Sequence, residues 1–162
     1  MPFSDFIVRQ SIITNLQATT KEGVIRELVE SLAQSGVFPQ EQVDEVVNAV
    51  LKREELGTTG IGNGIATPHA RVSAVKDFYG TIGISVDGVD FDSLDCQRAR
   101  IFILLISPNK TGTENSHLEI LKYISLQTRN KEFCRFLLQS HDRETILELL
   151  DEADRGVYSA QQ

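Results

Sequence analysis

The chain has little sulfur and little positive charge. Its two cysteines, Cys96 and Cys134, are too few and too far apart for a zinc knuckle or a redox pair, so neither metal nor disulfide is expected to hold the fold. Both read as small core or half-buried residues rather than working thiols. Lys and Arg number 16 against 23 Asp and Glu, a formal balance of −7. Nucleic-acid affinity comes largely from cations neutralising phosphates, so that balance argues against nucleic acid. It equally disfavours anionic membrane surfaces. The longest strongly apolar run, residues 101–106, falls far short of the ~20 residues that a membrane-spanning helix requires, and direct membrane insertion is not expected. Residues 1–5 lack the basic region and apolar stretch of a secretory signal. A reducing cytoplasm is the expected compartment. No internal repeat, low-complexity tract or linker interrupts the chain.

What is present suits one compact α/β domain. The 162 residues are 41% hydrophobic, and a chain of ~150 residues buries roughly 68 to 70% of its unfolded surface. Residues 1–155 read as the domain and residues 156–162 as a loose tail. A short strand is expected at residues 12–16. Thr19-Thr20-Lys21-Glu22 has the form of a capping box and announces a helix bearing Val24, Ile25, Leu28, Val29 and Leu32 at helical spacing. After Gly36 and Pro39, the residues Val43, Val46, Val47, Val50 and Leu51 mark a second helix ending near Leu56-Gly57. Residues 81–86 and 100–106 read as strands, the second buried on both faces. The helical period returns from Glu114, with Leu118, Leu121 and Ile124, then Phe133, Phe136 and Leu137, then Ile146, Leu149 and Leu150. Asn130 and Asp142 are candidate N-caps for the last two helices. This order predicts an α/β sandwich with a mixed sheet.

The unusual stretch is residues 57–71, with four glycines in eight residues followed by Pro68-His69. It fails as a dinucleotide loop, because Ile65 stands where a third glycine is required, and as a Walker loop, because Asn63 stands where Lys must. It also follows a helix rather than a strand. What remains is a backbone able to take positive φ and a Pro68 that biases Thr67 to extended geometry, holding His69 in a defined direction. That suits a nucleophile: a neutral imidazole attacks a phosphoryl group through one nitrogen while a hydrogen bond on the other fixes the tautomer. Backbone N–H groups of Gly60, Ile61, Gly62, Asn63 and Gly64 are the expected cradle for phosphoryl oxygens. A histidine after such a turn is, taken alone, more often structural.

Two further residues shift the balance. His117 falls in the expected first turn of a helix, where the positive dipole end lowers a histidine's pKa and favours a nearby anion. Arg53 lies just before the glycine stretch, and guanidinium is well shaped for phosphate. His141 reads as a surface residue at a helix junction. Two histidines without a local ligand cluster make a poor metal site, and no cofactor is expected.

Arg53-Glu54-Glu55, followed by Gly57-x-Thr59-Gly60-Ile61-Gly62-x-Gly64-Ile65-Ala66-x-Pro68-His69, resembles the signature of the enzyme IIA (EIIA) domains of the fructose/mannitol class in the bacterial phosphotransferase system. The order of elements is similar over essentially the whole chain. The resemblance implies an α/β/α sandwich with a mixed sheet of about five strands. It also implies His69 as phosphoryl acceptor, with the tele nitrogen expected to carry the group, His117 as its assistant and Arg53 as phosphate stabiliser. One departure is Thr67, where the family usually has an aliphatic residue; its hydroxyl bears on packing beside His69 and removes no phosphotransfer group. The implied donor is the carrier HPr or its nitrogen-branch counterpart, and the implied acceptor is an enzyme IIB (EIIB) or a regulatory target. With no IIB-, IIC- or HPr-like segment in the sequence, the chain resembles free-standing nitrogen-regulatory enzyme IIA proteins, although separately encoded sugar-specific IIA proteins look alike. A regulatory module switched by phosphorylation is therefore an alternative to sugar transport, and a domain that has lost phosphotransfer is disfavoured by His69, His117 and Arg53. The acidic balance is expected to attract a basic face on the carrier.

Overall fold

The computed structural model describes residues 1–159, and its spine is the last strand. The elements run α1 (Phe3–Phe6), α2 (Lys21–Gln34), α3 (Val43–Glu55), β1 (Gly60–Gly62), β2 (Ile65–Ala66), β3 (His69–Val72), β4 (Tyr79–Val89), β5 (Ala99–Pro108), α4 (Glu114–Thr128), α5 (Lys131–Gln139) and α6 (Arg143–Asp154). On one side β5 pairs antiparallel with β4, Ile82 opposite Ile103. On the other side it pairs in parallel with β2 and then β3, Ala66 opposite Phe102 and His69 opposite Leu105. The strand β1 folds back antiparallel on β2, completing a mixed sheet of five strands.

Successive side chains of β5 point to opposite faces, and both faces are apolar. Phe102, Leu104 and Ile106 join the core under α2 and α3. Ile101, Ile103 and Leu105 join the core under α1, α4, α5 and α6. The six are at most 1% exposed, each contributing roughly 1.5–3 kcal/mol of burial free energy. Helices on both faces of one sheet make the expected α/β/α sandwich. Among the described residues no helix is long and apolar enough to cross a membrane.

The helical stripes lie where the periodicity puts them. Val24, Ile25, Leu28, Val29 and Leu32 are buried on α2, and Val43, Val46, Val47 and Val50 on α3. The carboxamide of Asn130 accepts from Phe133 N, and the Asp142 carboxylate accepts from Thr145 N, so both act as N-caps. Both middle strands outrun the expected spans, because the ladder between β4 and β5 continues past the apolar stretch to Val89 opposite Ala99.

Several expectations are corrected. Residues 12–16 form no strand, because a bend at residues 14–15 interrupts the segment; with the turn at Arg9–Ser11 before it, isolated bridges of Ile7 to Gly80 and Ile13 to Gly83 run along the edge of β4. The cap of α2 is Thr20, whose side chain accepts from Gly23 N, one residue beyond the expected Thr19. Leu118 is 62% exposed, and the inward side of α4 is instead His117, Ile120 and Ile124. Cys96 is exposed, at a positive φ of 61°. Cys134 is half-buried, and burial pushes its thiol pKa up to about 11. Tyr158 is 3% exposed, packs near Phe133 and accepts through its carbonyl from Asn130 Nδ2. The expected loose tail is therefore anchored at that point; residues 160–162 lie outside the described residues.

Candidate active site

The glycine-rich segment is a hairpin followed by an edge strand. Asn63 and Gly64, at φ 56° and 79°, join β1 to β2 as the Asn-Gly pair favoured in tight hairpins. The chain then passes Thr67 and Pro68 and resumes as β3. Thr67 N donates to the Thr59 carbonyl and Leu105 N to the Pro68 carbonyl, both at 3.0 Å. These bonds fix the two residues before His69 against the sheet. Along β3, Ala70 and Val72 turn into the core beneath α2 and α3, so strand alternation puts His69 and Arg71 on the opposite face, toward α4.

His69 Nδ1 lies 2.8 Å from the Thr67 carbonyl oxygen. A carbonyl oxygen only accepts, so Nδ1 carries the hydrogen and the neutral ring keeps its lone pair on Nε2. Burial lowers the His69 pKa, with the Arg53 charge adding to that and the Thr67 carbonyl and Glu54 opposing it.

His117 reaches the same place from α4. Its N–H donates to the Thr113 carbonyl at 3.0 Å, which puts it in the first turn, as expected. It is 8% exposed, and its Nδ1 is hydrogen-bonded to Ser107 Oγ at 2.7 Å. The ring centroids of His69 and His117 are 5.5 Å apart with planes at 59°. Burial first, then the charges of His69, Arg71 and Arg53, push the His117 pKa down to about 4.

Arg53, near the end of α3, donates from Nη1 to the Gly57 carbonyl at 2.9 Å. It shares with both histidines a cleft of about 690 Å³. Among the described residues, Lys52 and Arg71 are the other charged groups lining it, and no carboxylate does. The excess negative charge thus lies elsewhere, and the cleft is locally positive. Leu56, 84% exposed, and Leu118 stand on its rim.

The structure brings His69, His117 and Arg53 together but not the expected phosphate cradle. Gly60, Ile61, Gly62, Asn63 and Gly64 do not line the cleft. The Gly64 carbonyl accepts from Arg100 N and Ile101 N, four residues along β5 from the Leu105 that faces His69, about 13 Å at strand rise. Asn63 N donates to the Asp95 carboxylate at 2.9 Å. Gly60 is required by close approach, since a Cβ there would lie 2.9 Å from Ser93 Cα. The glycines shape a hairpin. His141 is exposed, as expected.

Sequence reasoning missed Ser107, Arg71 and Glu54. Arg71 had a usable signal, two residues beyond His69 and so on the same face of a strand. Ser107 had none, because only the register of β3 on β5, Arg71 opposite Ser107, carries it to the site. Glu54 is 8% exposed. It accepts from Thr59 N and Thr59 Oγ1 and pairs with Lys21 Nζ at 2.8 Å, tying α3 to α2 and to the start of the hairpin.

The nitrogen regulatory protein of Bradyrhizobium diazoefficiens is 29% identical over 150 residues, covering 93% of this chain and 95% of that protein. The fructose-specific EIIABC component of the Bacillus subtilis phosphotransferase system is 32% identical over 155 residues, which is 96% of this chain. The chain spans 24% of that longer relative. The crystal structure of the nitrogen regulatory protein IIA-Ntr from Neisseria meningitidis has the same fold, with a TM-score of 0.80 at 23% identity over 91% of this chain and 98% of that one. The mannitol IIA enzyme of Escherichia coli, in complex with its phosphorylated IIB enzyme, matches with a TM-score of 0.72 at 26% identity over 88% of this chain and 94% of that one. The family model for the phosphoenolpyruvate-dependent sugar phosphotransferase system, EIIA 2, matches residues 5–153; the chain belongs to that family and is a phosphotransferase component.

Proposed function

We propose that this chain is a cytoplasmic phosphohistidine relay: it accepts a phosphoryl group on Nε2 of His69 from an HPr-type carrier and passes it to an EIIB acceptor or holds it as a signal. The observation that carries the reading is the 2.8 Å bond from His69 Nδ1–H to the Thr67 carbonyl. It leaves the tele nitrogen as the nucleophile, matching the nitrogen expected from the resemblance. Burial and the Arg53 charge keep the ring neutral, so the lone pair is available at pH 7.

In the transfer, the Nε2 lone pair forms a bond to phosphorus while the donor's N–P bond breaks, and the donor imidazole departs with that electron pair. His69 keeps its Nδ1 proton throughout, and the cationic phosphohistidine ring so formed stays bonded to Thr67. The chain's contribution is positioning and charge. The transfer calls for the tautomer in which Ser107 O–H donates to His117 Nδ1 and His117 Nε2–H donates to a phosphoryl oxygen. Arg53 offsets the negative charge. The glycine hairpin takes no part.

Incubation with phosphoenolpyruvate, enzyme I and HPr is expected to give an acid-labile phosphohistidine in the wild type. Its persistence in His69→Ala would sink the assignment.

The regulatory reading is supported by the likeness to nitrogen regulatory proteins. Phosphorylation adds roughly −1.5 to −2 charges, by analogy with other phosphorylated side chains, to a locally positive cleft ringed by exposed leucines, and so switches what docks there. A pull-down comparing the unmodified and phosphorylated chain tests it; identical partner sets count against a switch.

A further inference from the structure

Arg71 is tethered at one end of its guanidinium and carries an unpaired buried donor at the other. From β3 it reaches the loop before α4, where Nη2 donates to the Lys110 carbonyl at 3.2 Å and to Thr113 Oγ1 at 3.1 Å. The Glu114 carboxylate lies 3.5 Å from the same nitrogen. Its Nε, by contrast, is buried and has no hydrogen-bond partner. A buried donor left unsatisfied is costly, so such a group calls for an explanation. The residue shares a strand face with His69, lines the cleft with both histidines, and stands opposite Ser107, the residue bonded to His117.

We propose that Arg71 is a second phosphoryl-binding guanidinium, tethered through Nη2 so that its Nε–H waits for an oxygen of the group carried on His69. Arg53 approaches from α3 and Arg71 from β3, so the phosphoryl group would be held from two sides, with His117 Nε2–H as a further donor. Guanidinium suits this division of labour because its five donors are fixed in one plane, allowing one edge to be anchored while another binds. The tether also keeps the long side chain from losing much rotamer freedom when the phosphoryl group arrives.

This inference rests on the relay reading, and the test separates the two. The chain is phosphorylated with phosphoenolpyruvate, enzyme I and HPr, and the Arg71 Nε–H resonance is followed by ¹⁵N NMR alongside the phosphohistidine ³¹P signal. On phosphorylation the Arg71 Nε–H is expected to move downfield and to slow its exchange with water. In Arg71→Gln the equilibrium constant for transfer from phospho-HPr is expected to fall about tenfold, the scale of one charge-assisted hydrogen bond. Arg71→Lys, a point charge lacking the planar fork, should recover only part of that. An Nε–H resonance unmoved by phosphorylation overturns the proposal even if the Gln variant does not fold, and so does a folded Gln variant with an unchanged equilibrium constant. If the wild type forms no phosphohistidine, the relay reading itself fails.

Discussion

His69 and His117 face each other with ring centroids 5.5 Å apart, one on an edge strand and the other in the first turn of a helix. Two positive charges that close repel, and both rings are also surrounded by arginine charge and removed from water. The pair is therefore neutral at pH 7, the state in which one ring is a nucleophile and the other a hydrogen-bond donor.

The first prediction is a pH dependence. His117 titrates at about 4 in the folded chain and near the ordinary 6.5 when unfolded. Between those values the unfolded state binds more protons, so stability rises with pH across that window and the contribution is flat above it. The lowered His69 pKa acts in the same direction. Denaturant midpoints from pH 4 to 7 should show this rise, with a shallower rise in His117→Gln. Ring-proton NMR should place the His117 titration well below 6, and a titration at or above 6.5 would contradict the packing described.

Ser107 is expected to act only through His117. In Ser107→Ala the imidazole loses the hydrogen bond at its Nδ1, and the single-turnover rate of transfer from phospho-HPr should drop about tenfold, in line with the loss of a net hydrogen bond of about 1 kcal/mol or slightly more. His117→Ala removes the donor itself and should cost on the order of 10² to 10³ in rate. The double variant should be no slower than His117→Ala alone, because both changes interrupt one element.

The hairpin carries a different expectation. Gly64→Ala puts a side chain at φ 79°, a left-handed position that costs roughly 1–2 kcal/mol. Thermal or urea unfolding should register that loss, while the rate of phosphotransfer at a temperature where the variant remains folded should equal the wild type. A selective loss of transfer would restore the glycine segment as a phosphate cradle.

Phe102 tests the central strand. It is fully buried between α2 and α3 and the sheet, edge-on to Phe91. Phe102→Ala should destabilise the chain by about 3–5 kcal/mol, measured by equilibrium denaturation. A loss under 1 kcal/mol would mean that the core beneath α2 and α3 is looser than its burial indicates.

Elements whose signal is local are legible in the order of the residues. Apolar residues at helical spacing give α2 and α3, Asn130 and Asp142 give two helix starts, and an unbroken apolar run gives a strand covered on both faces. Each records which side of a segment leaves water, and burial of a periodic stripe is enough to specify it. The motif through Pro68-His69 likewise carried the family and singled out its histidine, since Pro68 and the residues around it constrain a few neighbouring dihedrals. Only the tertiary structure decided which side chains meet. The parallel register of β3 on β5 puts Ser107 opposite Arg71, and the docking of α4 brings His117 to His69. The same strand carries the Asn63-Gly64 turn some 13 Å from the site it precedes in sequence. Residues 12–16, apolar enough to be a strand, meet β4 only at Ile13 and Leu16, because a bend at residues 14–15 interrupts the ladder. Register and layer order are settled by pairing between distant segments, and a one-residue slip would turn every side chain to the other face. That is why His69, His117 and Arg53 could be named from the sequence, while Ser107 and the mutual placement of the two imidazoles became visible only in the folded chain.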